Sequence, residues 1–274
     1  MTDTRTAGSA VKPSGSEPSL ELRSATKNFG AVRALKGIDI RLTQGEVVGL
    51  VGDNGAGKST LAKILSGALR PDSGELLIDG SDLSFGSVRD ARRFGIEMLY
   101  QDLALCDDLD IAENFYAGRE PVRFGLLRRR WMRRQVLEKL GQLGITLQSS
   151  TVPVRVLSGG QRQSLAIARA VAYSSRLLIL DEPTAALGIT QSRAVIELIT
   201  RVKATGVGVL FISHRMIDVL SVCDRVIVLY EGRVAAELVA SETSVEEIVN
   251  FIVTDPDRGA KASAFMTSST PAAP

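Results

Sequence analysis

A chain of 274 residues, 45% of them hydrophobic, is long enough to bury a large core as one domain or as a domain with an embedded subdomain. Its net charge of +2 is close to balance, so no global field directs it to nucleic acid. No apolar run approaches the ~20 residues of a membrane helix, and two distant cysteines, Cys106 and Cys223, exclude a disulfide framework and a zinc site. A reducing cytosol suits this composition, and a partner chain is the expected route to any work at a membrane.

Residues 1–18 are rich in Ser, Thr, Gly and Pro and lack the apolar core of a secretory signal, so they read as a disordered leader. From Leu20 the pattern becomes strand-like: Leu20 and Leu22 alternate with polar neighbours, as do Ile38, Ile40 and Leu42. Leu76-Leu77-Ile78 followed by Asp79-Gly80 adds a strand and a turn. Together they predict a small antiparallel sheet leaning on a larger core. Phe29 sits at its turn, where it fits a core aromatic or a platform for adenine equally well.

Between these strands lies Gly52-Asp53-Asn54-Gly55-Ala56-Gly57-Lys58-Ser59-Thr60, after the apolar run Val47–Val51 and before the helix-like Leu61–Leu65. Strand, glycine loop and helix in that order form the context of a phosphate-binding loop. The glycines let successive N–H groups curl around a phosphate, and the helix N-terminus points at the same anion. Lys58 can reach the β- and γ-phosphates of a nucleotide and Ser59 can bind Mg²⁺. The bland alternative, a glycine turn that happens to precede a lysine, leaves the flanking strand and helix signals unexplained.

The helix after Lys58 is expected to stop at the turn Pro71-Asp72-Ser73-Gly74; Ser87–Asp90 looks like a helix cap, and Gly95–Tyr100 like a strand ending at Gln101. Residues 102–157 read as helical and more charged. Met132, Val136, Leu140 and Leu143 share one helix face. Arg128, Arg129, Arg130, Arg133 and Arg134 flank Trp131, the only tryptophan; the run is either a solvated helix face or a contact for lipid headgroups or an acidic partner. Leu157-Ser158-Gly159-Gly160-Gln161 opens a further helix, with Ser158 and Gln161 in a capping-box pattern.

Leu177–Leu180 is a continuous apolar run, as in a parallel strand covered on both faces, and it ends in Asp181-Glu182. A helix is expected over 191–204, then a buried strand Val207–Ile212 ending in Ser213-His214. Cys223 falls on a helical face with Met216, Val219 and Leu220, as a core thiol would. Val226–Tyr230 and Arg233-Val234 read as a hairpin, and beyond about Asp255 the chain looks disordered. Carboxylates at the end of a central strand sit where open α/β sheets bind ligands. One can hold Mg²⁺ and the other can take a proton from water. Gln101 and His214 also terminate apolar strands, so Lys58, Gln101, Asp181, Glu182 and His214 are expected at one sheet edge, as a nucleotide-hydrolysis site.

With Leu157–Gln161 in view, residues 19–240 resemble the ATP-binding cassette (ABC) family. Gly52–Thr60 is similar to its Walker A loop, Leu177–Glu182 to its Walker B strand, and Leu157–Gln161 to its signature. The resemblance implies an α/β fold: a P-loop NTPase (RecA-like) core with an antiparallel β subdomain and an inserted α-helical subdomain. The parts would be core and β subdomain at 19–101, helical subdomain at 102–157, second core part at 158–254, and a disordered tail at 255–274. ATP would be bound by Phe29, Gly52, Asn54, Gly55, Gly57, Lys58, Ser59 and Thr60 of one copy. Ser158, Gly159, Gly160 and Gln161 of a second copy would cap it. Ser59, Gln101 and Asp181 would hold Mg²⁺, and Glu182, His214 and Gln101 would serve catalysis.

The resemblance further implies a homodimer on a membrane permease, at the cytoplasmic face of the inner membrane, with residues around 102–120 sensing the permease and a solute-binding protein outside. Tyr100–Leu105, Ala112-Glu113-Asn114 and Ser213–Met216 are similar to ATPases of bacterial monosaccharide importers, which often carry two fused cassettes; this chain has one. Gly188 stands where the family usually has aspartate. Importers of other solutes, such as amino acids or nucleosides, are the nearest alternative. A soluble cassette protein acting on ribosomes or DNA would call for two cassettes, a long coiled coil or a zinc site, and none is visible.

Overall fold

The computed structural model describes residues 20–82, 87–174 and 176–253; the leader and tail expected to be disordered lie outside them. The chain begins with β1 (Leu20–Phe29), β2 (Val32–Leu42), β3 (Val47–Gly52) and α1 (Lys58–Leu65). β4 (Ser73–Ile78), β5 (Ser81–Asp82), α2 (Val88–Arg93) and β6 (Ile96–Leu99) follow. Next come α3 (Ile111–Tyr116), β7 (Val122–Arg123), β8 (Leu126–Leu127), α4 (Arg129–Gln142) and α5 (Gly159–Val171). The described chain ends with β9 (Leu177–Asp181), α6 (Ile189–Ala204), β10 (Gly208–Ile212), α7 (Met216–Val222), β11 (Arg225–Tyr230), β12 (Arg233–Val239) and α8 (Val245–Val253).

The central sheet has the order β12-β11-β3-β10-β9-β6. All its neighbours run parallel except β12, which pairs antiparallel with β11 at the edge. Its apolar runs are continuous because successive side chains enter two different cores. Val47, Val51, Leu178, Leu180, Val209 and Phe211 face the core shared with α3–α8. Val48, Leu50, Leu177, Ile179, Leu210 and Ile212 face the core shared with α1 and the second sheet. That second sheet, in the order β2-β1-β4-β5, is antiparallel. Leu61, Ala62, Ile64 and Leu65 of α1 are buried between the two sheets, so the helix that follows the glycine loop is clamped on both sides.

The helical part packs on the first core. Met132, Val136, Leu140 and Leu143 are buried as their spacing predicts, while Leu137 is exposed. Asp110 and Glu113 form a capping box at α3, and buried Asn114 donates to the carbonyls of Cys106, Leu109 and Asp110 at 2.9–3.1 Å. Those bonds pin the loop that leads from β6 into the helices. Cys223 is buried, and burial pushes its thiol far above the ordinary range.

Three local expectations shift. α1 ends at Leu65, well before Pro71, because Gly67 turns the backbone left-handed at φ +72°. α6 begins at Ile189 rather than at Gln191, since the Gln191 Oε1 reaches back to accept from the Gly188 N–H at 3.4 Å. Residues 102–157 are not wholly helical: β7 and β8 pair as a two-rung hairpin between α3 and α4.

Candidate functional site: a phosphate loop facing two carboxylates

Parallel strands place their carboxyl ends at one level. Ile212 pairs with Asp181 and with Leu50, and Leu99 pairs with Leu180. The glycine loop after β3, Gln101 after β6, Glu182 after β9 and His214 after β10 therefore emerge along the same edge. They meet at a cavity of about 410 Å³ lined by Asn54, Gly55, Gly57, Lys58, Ser59, Thr60, Gln101, Asp181, Glu182 and His214, with Val32 and Ala34 of β2.

The loop geometry requires glycine. Gly57 caps α1 at φ +106°, and a Cβ there would lie 2.7 Å from the Ala34 carbonyl oxygen. Gly52 is tighter, since a Cβ would meet the backbone oxygen of Leu229. Lys58 is buried, and its Nζ donates to the carbonyls of Gly52 at 2.8 Å and Asp53 at 2.9 Å. Burial lowers the Lys58 pKa, and the charges of Glu182, Asp53 and Asp181 oppose that shift. The ammonium is thus held beneath the loop amides, beside two carboxylates.

Burial raises the pKa of Asp181, offset by Lys58, Lys63 and His214. Burial raises that of Glu182 as well, offset first by His214. Glu182 adopts φ +51°, a left-handed backbone uncommon for a non-glycine residue, while its N–H donates to the Ile212 carbonyl at 2.9 Å. Its Oε1 lies 3.3 Å from His214 Nε2, outside hydrogen-bond geometry, and is buried without a hydrogen-bond partner. An unpartnered carboxylate oxygen of raised basicity at a cavity wall is chemically suited to accept a proton. The Ser59 hydroxyl, Gln101 amide and Asp181 carboxylate are hard oxygen donors, which fit Mg²⁺. Among the described residues no cluster of three His, Cys, Asp or Glu could hold a metal ion.

Residues 35–185 match the ABC transporter family. The chain belongs to that family. It is 45% identical over 85% of its length to the xylose/arabinose import ATP-binding protein XylG of Sulfolobus acidocaldarius, covering 93% of that protein. It is 42% identical over 86% of its length to the fructose import ATP-binding protein FrcA of Rhizobium meliloti, covering 94% of it. Against the ribose import ATP-binding protein RbsA 1 of Rubrobacter xylanophilus it is 45% identical over 86% of its length, yet spans only 47% of that relative. Among solved structures, CbiO1 of Clostridium perfringens superposes with a TM-score of 0.74 at 29% identity, covering 90% of this chain and 100% of that one. The cassette MJ0796, a dimer bound to ADP and Pi, gives 0.68 at 27% identity, with coverage of 81% and 98%.

The cassette does not gather every candidate residue at its cavity. Ser158, Gly159, Gly160 and Gln161 lie apart from it, at the start of α5. Ser158 Oγ accepts from the Gln161 N–H at 3.3 Å and Gln161 Oε1 accepts from the Ser158 N–H at 3.0 Å. The turn abuts the start of α6: a Cβ on Gly160 would come 3.1 Å from the Gln191 side chain. Phe29 is half exposed and does not line the cavity. Asn28 and Lys27 fix its strand end, donating to the Asp72 carboxylate at 2.6–3.0 Å. Three residues were not among the candidates read from the sequence. Val32 and Ala34 line the cavity through the fold of β2, and nothing in their residue types marks them. Arg215 is the other kind of miss: its Nη1 donates to Ser192 Oγ at 2.8 Å and to the Thr184 carbonyl at 3.3 Å, and its Nε lies 3.2 Å from Asp218. It ties the His214 loop to the segment that follows Glu182.

Proposed function

We propose that this cassette is the ATP-hydrolysing subunit of a monosaccharide importer. The observation that carries the hydrolytic part is the meeting of Lys58, Gln101, Asp181, Glu182 and His214 at one cavity. Lys58 and the loop N–H groups bind the β- and γ-phosphates of ATP and stabilise charge that builds as the terminal phosphoryl leaves. Ser59, Gln101 and Asp181 would hold Mg²⁺, which would supply positive charge against the negative charge of the phosphates. Glu182 takes a proton from a water whose oxygen bonds to the γ-phosphorus, and the bond from that phosphorus to the bridging oxygen breaks, giving ADP and phosphate. His214, 3.3 Å from Glu182, lies beside the carboxylate and contacts the γ-phosphate. Phe29 stacks on adenine beside Val32.

The exposed start of α5 is free to meet a second copy. In a head-to-tail pair, Ser158, Gly159 and Gly160 of one copy cap ATP held by Lys58 and Ser59 of the other, through backbone N–H groups and the positive end of a helix. The dimeric form of MJ0796 supports this pairing. Closure of the pair drives a membrane permease, and a solute-binding protein delivers the sugar from outside. No helix among the described residues is long and apolar enough to cross a membrane, which fits a peripheral subunit on the cytoplasmic face.

The sugar assignment draws on the import proteins for xylose and arabinose, ribose and fructose that this chain is similar to. Its test is uptake of labelled xylose, ribose and fructose by cells with and without the gene, with a labelled amino acid as reference. Loss confined to a sugar is expected. Intact sugar uptake with lost amino-acid uptake contradicts it.

A further inference from the structure

Away from the nucleotide edge, positive charge is concentrated on one segment. Residues 119–134 hold seven arginines and one acid, Glu120, an excess of six in a chain whose net charge is +2. Within this segment the β7–β8 hairpin exposes apolar side chains on both faces. Val122 pairs across the ladder with Leu127, and Arg123 with Leu126. Phe124 is 91% exposed and Leu126 74%, with Val122 and Leu127 about half exposed. Phe124 and Gly125 make the turn at φ 51° and 79°, which sets the phenyl ring at the tip. The Arg128 N–H closes the base on the Pro121 carbonyl at 3.0 Å.

The arginines divide into two groups. Arg119 pairs with Glu97, and Arg129 and Arg133 pair with Glu113 and Asp110 at 3.5 and 3.1 Å, which ties α4 to the start of α3, while Arg134 lies 4.0 Å from Glu138 within α4 itself. Arg123, Arg128 and Arg130 have no acidic partner among the described residues. Arg123 lies 5.3 Å over the Phe124 ring and Arg128 lies 5.2 Å over Trp131. Unpaired cations therefore surround an exposed apolar tip.

We propose that this hairpin and its arginine collar dock on an anionic lipid surface. Apolar side chains that enter the acyl boundary and cations that stay at headgroup level are the chemistry of interfacial binding. Guanidinium also matches phosphate oxygens in a bidentate way. A hairpin of two residues per strand is narrow and convex. It offers little of the roughly 800 Å² per partner that a stable protein interface buries, whereas a lipid surface deforms around it. A solvated charged face would carry a polar tip, and this tip is Phe124-Gly125-Leu126-Leu127. The inference stands apart from the hydrolytic reading, since none of these residues lines the nucleotide cavity.

The test is flotation of the purified full chain with vesicles of phosphatidylcholine, with and without phosphatidylglycerol, at low and high salt. ATP turnover is measured on the same samples to verify folding. Binding to the anionic vesicles alone, weakened by salt, is expected. The double variants Phe124→Ser/Leu126→Ser and Arg128→Glu/Arg130→Glu should each lower binding by about tenfold or more with turnover unchanged. Absence of binding to anionic vesicles by a chain that turns over ATP overturns the proposal. So does equal binding by both variants. Loss of co-purification with a membrane protein in the variants, without any lipid binding by the parent, assigns the hairpin to a protein partner instead.

Discussion

Replacing Gly57 by alanine tests whether β2 sets the shape of the phosphate loop. Gly55 and Gly57 both have positive φ, +82° and +106°, so alanine at either carries left-handed strain. That strain costs about 1–2 kcal/mol and is partly offset by about 0.4–1 kcal/mol from a stiffer unfolded chain. Gly55 faces open space, and the accounting stops there at about 1 kcal/mol. At Gly57 the new methyl would lie 2.7 Å from the Ala34 carbonyl oxygen and 2.8 Å from the Leu35 side chain. Ala34 itself sits at a register shift, but its neighbours Arg33 and Leu35 pair with Asn28 and Lys27, so the carbonyl yields only by moving β2. Overpacking of that kind adds about 1–3 kcal/mol. Gly57→Ala should therefore be about 2 kcal/mol less stable than Gly55→Ala, from the same overpacking range. At roughly 2–4 °C per kcal/mol for a chain of this size, the melting temperatures should differ by about 4–8 °C. Urea unfolding and a fluorescent-nucleotide titration provide the readouts, and Gly57→Ala should also bind nucleotide more weakly. Equal stability and affinity in the two variants would refute the role given to Ala34.

Other outcomes follow from the same geometry. Burial raises the pKa of Glu182, so the acid limb of turnover should lie above the ordinary carboxylate range; His214→Ala removes the charge that lowers it and should move that limb to higher pH while slowing turnover. The linked stability has a definite sign. The raised carboxyls of Asp181 and Glu182 bind protons more tightly in the folded chain, so their contribution is complete below the ordinary carboxylate range and is lost as pH rises through the raised values. Urea unfolding against pH should accordingly show a shallower decline in Glu182→Gln. Arg215→Met strands the buried Ser192 hydroxyl and Asp218, and should cost about 2 kcal/mol in urea unfolding, with Arg215→Lys restoring part of it. Gly188→Asp supplies the carboxylate usual in the family and should alter cooperativity in ATP, read as a changed Hill coefficient.

The nucleotide edge was legible because its chemistry is local. Gly52–Thr60 is one contiguous loop, and Glu182 and His214 each follow an apolar run whose two-sided burial dictates a parallel strand. Parallel pairing then aligns the strand ends without further information. Val32 and Ala34 were hidden because they reach the cavity by sheet register: Lys36 N–H bonds the Gly232 carbonyl at 2.8 Å and brings β2 across the loop. Contacts between residues so far apart leave no period to read. The β7–β8 hairpin was missed for another reason. Two residues per strand give no alternation, and an arginine-rich flank reads as helix. The ends of α1 and α6 were set by single interactions, the turn at Gly67 and the reach of Gln191, which propensity alone does not weigh.

The most direct measurement for the proposed hydrolytic site is ATP turnover by Glu182→Gln, with nucleotide affinity measured on the same protein. The substitution keeps the shape of the side chain and removes its proton acceptor. With Glu182 as the base, turnover falls by about 10²-fold or more, affinity for ATP is kept, and ATP-bound pairs accumulate. Turnover within about twofold of the parent, with affinity unchanged, would contradict the account and move the proton acceptor away from Glu182.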